Sequence, residues 1–109
     1  MKLIVAIVQD EDASRLVAKI MEDGFGVTKL ATTGGFLKAG NTTLLIGVED
    51  ERVNEALSII EKICKSRTQI APSPATMVGM SASYLSYPIE VRVGGATIFV
   101  LEVDQFKRF

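Results

Sequence analysis

Leu3-Ile4-Val5-Ala6-Ile7-Val8-Gln9-Asp10-Glu11 and, 40 positions later, Thr43-Leu44-Leu45-Ile46-Gly47-Val48-Glu49-Asp50-Glu51 decide the fold of this chain. Leu3 to Val8 is an apolar run rich in β-branched residues, which suits a central strand buried on both faces. The acids that follow suit the positive end of a helix, with Asp10 as its expected N-cap. Ala13, Leu16, Val17, Ile20 and Met21 then recur at helical spacing, and Gly24 stops the helix. The same shift lays Val8 on Val48, Asp10 on Asp50 and Ile20 on Ile60, so the strand–helix unit occurs twice. In the second unit the strand is Thr42 to Val48 and Asp50 is the expected cap. Its helical stripe is Val53, Ala56, Leu57, Ile60, Ile63 and Cys64.

Outward from this repeat, Val27 to Thr33 reads as a strand that forms a hairpin with Thr42 to Val48. Ile89, Val91 and Val93 alternate with Glu90 and Arg92 as in a half-buried strand. Gly94-Gly95 signals a hairpin, with Ala96 to Val103 as its return strand. Two interleaved βαβ units give an α+β fold: a ferredoxin-like βαββαβ antiparallel sheet with two helices on one face and an extra C-terminal hairpin strand. The other face, expected to carry Thr28, Leu30 or their neighbours, is left for other subunits to bury.

Composition narrows the function. The chain has 109 residues, 12 Lys plus Arg against 13 Asp plus Glu, no His, no Trp and one Cys. One domain spanning 1–109 is expected at this length. A formal charge of −1 argues against binding nucleic-acid polymers. With no His, neither a His general base nor a His-containing zinc site is available, and a lone Cys64 forms no internal disulfide. Cys64 lies on the apolar stripe and reads as core, and the acids Asp10, Glu11 and Asp12 read as helix-start residues rather than a metal site. No apolar run is long enough to span a membrane, and no leader pattern is present, so a cytoplasmic location without a membrane partner is expected.

Two segments are neither core elements nor short turns. Thr32-Thr33-Gly34-Gly35-Phe36-Leu37-Lys38-Ala39-Gly40-Asn41-Thr42-Thr43 has paired glycines whose N–H groups could converge on an anion, with Lys29 or Lys38 adding charge. Phe36 offers a flat surface for a base, and Asn41 a donor–acceptor pair that matches adenine. On residues alone, a solvated hairpin tip is the alternative. The second segment is the long connection from Ser66 to Pro88, with Tyr84 and Tyr87 as anchors, and it reads either as a partner-contacting loop or as a mobile linker. Lys107 and Arg108 between Phe106 and Phe109 form a basic, aromatic end that could reach a neighbour's ligand in an oligomer.

Over nearly its whole length the sequence resembles the PII-like cyclic-di-AMP receptor family of Gram-positive bacteria. The likeness is carried by Met1 through Asp10, Thr28 through Thr43, and Tyr87-Pro88 through Leu101. It implies a ferredoxin-like homotrimer that binds one cyclic-di-AMP in each of three clefts between subunits. Such a protein uses no cofactor, catalyses nothing, and relays occupancy through its loops to a downstream protein that the sequence leaves unknown. Carried over by position, the ligand contacts are Thr28, Gly35, Phe36, Leu37, Asn41 and Gly47. Gly26 stands where relatives usually have Arg, and Arg108 where they have Gln, so Arg108 is expected to bring a cation to a phosphate of the adjacent subunit's ligand. Met77-Val78-Gly79-Met80 also departs from the family's Met-Gly-Gly. The alternative is a PII-type interaction protein that binds ATP or a constitutive protein partner and has lost cyclic-di-AMP. Gel filtration of the 11.8 kDa chain should give a multiple of that mass, and a monomer would contradict the oligomer.

Overall fold

A computed structural model describes residues 1–30, 40–71 and 89–109. The elements run β1 (Lys2–Gln9), α1 (Asp10–Glu22), β2 (Gly26–Leu30), β3 (Asn41–Val48), a 3-10 turn (Asp50–Arg52), α2 (Val53–Cys64), β4 (Arg67–Ala71), β5 (Ile89–Val93) and β6 (Ala96–Glu102). Four strands form an antiparallel sheet in the order β2-β3-β1-β6, the ferredoxin-like arrangement expected, while β4 and β5 form a separate two-stranded ribbon.

Side-chain alternation divides the sheet into two faces. Ile4, Ala6 and Val8 of β1, with Leu44, Ile46 and Val48 of β3, are buried beneath Ala13, Leu16 and Ile20 of α1 and Ala56, Ile59, Ile60 and Cys64 of α2. Burial of one such large aliphatic side chain contributes about 1.5–3 kcal/mol, so this layer supplies the main drive to fold. The opposite face is apolar, and none of the described residues covers it. Register places Leu3 beside Leu101, and Val5 between Leu45 and Phe99. Phe99 is 52% exposed and Leu101 48%.

Several local expectations are corrected. Asp10 opens α1 without capping it; its carboxylate instead accepts a hydrogen bond from the Thr42 hydroxyl. Asp50 begins the 3-10 turn and its carboxylate meets the Met1 α-ammonium at 2.9 Å, while α2 starts only at Val53. Met21 is 61% exposed rather than core, and Ile59 takes a core position that the stripe omitted. Gly94-Gly95 does not join paired strands: β5 pairs with β4, and β6 crosses to β1 as the fourth strand of the sheet. The Ser66 to Pro88 connection therefore begins with a strand, β4; Tyr84, Tyr87 and the rest of 72–88 lie outside the described residues.

Asp12, read as a helix-start acid, has a further role. Its side chain is fully buried and accepts from Arg15 Nη2 at 2.9 Å, from Arg67 Nη2 at 2.9 Å and from Arg67 Nη1 at 3.3 Å. The Arg67 hydrogen bonds foremost, helped by Arg15, hold its carboxyl below the usual carboxylate range against the opposing effect of burial. An acid depressed in the folded state stabilises it above the unfolded pKa of about 3.9 and loses that contribution as pH falls through the folded value. Both arginines retain solvent contact, so Asp12→Asn should lower the unfolding free energy at pH 7 by about 2 kcal/mol, below the range for a fully buried pair. Urea titration at fixed protein concentration should show the gap narrowing from about pH 4 downward; an equal gap at pH 7 and pH 2.5 would contradict this role.

Candidate functional site

Phe25 is buried under Arg52, whose guanidinium lies 4.0 Å from the ring centroid and donates to the Asp23 carbonyl at 2.8 Å. This contact fixes the end of α1 and delivers the chain into β2 at Gly26. Gly26 is the register partner of Gly47, and Gly47 in turn lies opposite Leu3. Two glycines facing each other across neighbouring strands leave bare backbone on the open face. A Cβ added to either would meet nothing within 4 Å, so neither is required by packing or backbone conformation.

That bare strip floors a groove of about 520 Å³ at one end of the open face. Thr28, Leu3 and Leu45 line it from the sheet, while Phe106 and Arg108 of the C-terminal segment line its other side. Of the residues singled out by sequence, Thr28, Gly47 and Arg108 are thus brought together, and Gly26 lies among them; Arg108, expected to reach the adjacent subunit's ligand, instead lies beside Thr28 and Gly47 of its own chain, because the C-terminal segment runs along the same groove. A hydroxyl, a guanidinium and unobstructed backbone around apolar walls can hold a ligand that is both anionic and flat. A larger groove of about 740 Å³ between α1 and α2 gathers none of these residues and mixes Lys19 and Lys62 with Asp23 and Glu55.

Asn41 lies elsewhere. It opens β3 opposite Gln9 and shares the open face with Gly47, but six residues at about 3.3 Å each place it roughly 20 Å away along the strand. Gly35, Phe36 and Leu37 lie outside the described residues. The sequence reading missed Leu45 and the floor itself, because pairing Gly26 with Gly47 depends on register. The alternation of Thr43, Leu45 and Gly47 was the available signal.

Desolvation, chiefly, pushes the buried Cys64 thiol up to about 11, so it stays protonated near neutral pH and is a poor nucleophile. Among the described residues, no cluster of acids, His or Cys is arranged to hold a metal, and no helix is long and apolar enough to cross a membrane.

The family model for cyclic-di-AMP receptors matches residues 1–109. A crystal structure of a functionally unknown protein from Pediococcus pentosaceus ATCC 25745 is 49% identical, covers 99% of this chain and 96% of its own, and superposes with a TM-score of 0.78. Because the glycine floor lies open, Gly47→Val should leave stability unchanged or raise it by up to about 1 kcal/mol, through the β-propensity of Val. Chemical denaturation checks this, and a loss above about 2 kcal/mol would show that the floor is structural instead.

Proposed function

This chain belongs to the cyclic-di-AMP receptor family, and from that premise we propose that it binds cyclic-di-AMP in grooves completed between the subunits of a homotrimer. The supporting observation is the convergence of Thr28, Gly47 and Arg108 on a glycine-floored groove. A phosphodiester of the ligand lies against the Thr28 hydroxyl and the Arg108 guanidinium, and an adenine rests between Leu45 and the Phe106 side. By the resemblance, Phe36 and Leu37 cover the purine, Gly35 adds a contact, and Asn41 pairs with an adenine edge. A compact two-nucleotide ring seated over Gly47 does not also reach Asn41 of the same chain, so a neighbouring subunit supplies that contact. The uncovered apolar face, with Val5, Phe99 and Leu101, supports the association that such a shared site requires.

Binding is the function in this reading, and no reaction follows it. The protein works in the cytoplasm, and its loops present the bound state to a protein partner. Gly26, which offers no cation, favours a second reading in which the groove holds ATP or the chain serves a constitutive partner.

Isothermal titration of the full chain should show one cyclic-di-AMP per subunit, with little response to cyclic-di-GMP and no displacement by ATP. No saturable heat at high micromolar ligand would overturn the receptor reading, and displacement by ATP would favour the second. Arg108→Ala removes a charge-assisted hydrogen bond and should weaken binding tenfold or more; an unchanged affinity would remove Arg108 from the site.

A further inference from the structure

Among the described residues the β4–β5 ribbon pairs only with itself, and polar groups at its base tie it to the rest of the chain. Gly94 donates its backbone N–H to Gln9 Oε1 at 2.8 Å. Arg67, the first residue of β4, donates to the buried Asp12 carboxylate and, at 3.1 Å, to the Lys65 carbonyl. Gly95 donates to the Cys64 carbonyl. Gly94 has φ +79°, and a Cβ there would lie 2.5 Å from Arg67 Nη1 and 2.7 Å from the Lys65 oxygen, so the base is closely packed.

The same short junction, Gln9 to Asp12, holds the start of β3. Asp10 donates its backbone N–H to the Gly40 carbonyl and accepts from the Thr42 hydroxyl. Gln9 is the register partner of Asn41. One junction of four residues therefore fastens both the Asn41 end of the proposed ligand site and the base of the ribbon.

We infer that this junction couples ligand occupancy at Asn41 to the setting of the β4–β5 ribbon, with the Gln9 carboxamide as the positioning group. The inference rests on the reading that Asn41 contacts cyclic-di-AMP. A ligand that restrains Asn41 restrains Gln9 through the strand ladder, and Gln9 Oε1 then fixes Gly94. The crowded left-handed conformation at Gly94 leaves it little room to follow any other partner. Two strands alone are marginal in water, so the hold at the base governs how often the ribbon opens.

Hydrogen exchange of the full chain with and without saturating cyclic-di-AMP, run beside the titration, tests this. Amides of 67–71 and 89–93 should exchange at least threefold more slowly when ligand is bound. Gln9→Met, which keeps the length but removes the acceptor, should lose this ligand-dependent slowing, and Gln9→Glu, which keeps an acceptor, should retain it. Saturable binding with no change at the ribbon, or the same slowing in Gln9→Met, would overturn the coupling while leaving the receptor reading intact. A flat titration of the unsubstituted protein would instead overturn the ligand reading, and the coupling with it.

Discussion

A strand that is apolar on both faces has to be covered on both, and β1 is such a strand. Ile4, Ala6 and Val8 are covered by the two helices, while Leu3, Val5 and Ile7 face the other way, beside the side chains of β3 and β6. The first set makes the fold, because it is the apolar surface on which α1 and α2 pack. The second set, with the exposed Phe99 and Leu101, makes the apolar face that the proposed association would bury. The fold, and the exposed apolar face on which the proposed association rests, thus follow from one strand that is apolar on both sides.

The groove is a local interruption of that apolar face. Where the Gly26–Gly47 pair replaces two side chains, the sheet cannot fill the surface it presents, and the C-terminal segment lies beside the gap with Phe106 and Arg108. Apolar walls, bare backbone and one guanidinium make a site suited to a nucleotide that is flat at its bases and charged at its phosphodiesters. Near neutral pH the buried Cys64 thiol stays protonated, and the chain contains no His.

Much of this was legible in the residues, and the limits have physical causes. The repeat of Leu3–Glu11 forty positions later carried the sheet and both helices, because buried faces impose strict periodicities. Strand pairing beyond it was not legible. Gly94-Gly95 has the composition of a hairpin turn, but its positive φ angles serve a crossover between two sheets, and only the Arg67, Gln9 and Cys64 contacts decide between the two. Asp12 looked like one of three helix-start acids because its partner Arg67 is 55 residues away. Resemblance pointed to Thr28, Gly47 and Arg108, which the fold brings together, and to Asn41, which it sets at the far end of β3. That separation turns a residue list into a claim about subunits.

The claim that one ligand is held by two subunits is tested most directly by complementation. Arg108→Ala and Asn41→Ala chains are each prepared alone and then co-assembled, and cyclic-di-AMP binding is measured on all three samples. If the two residues meet the ligand from different subunits, each variant alone binds poorly and the mixed assembly recovers a fraction of intact sites with unsubstituted affinity. If both contacts come from one chain, no mixed assembly contains an intact site, and the absence of recovered binding would contradict the account.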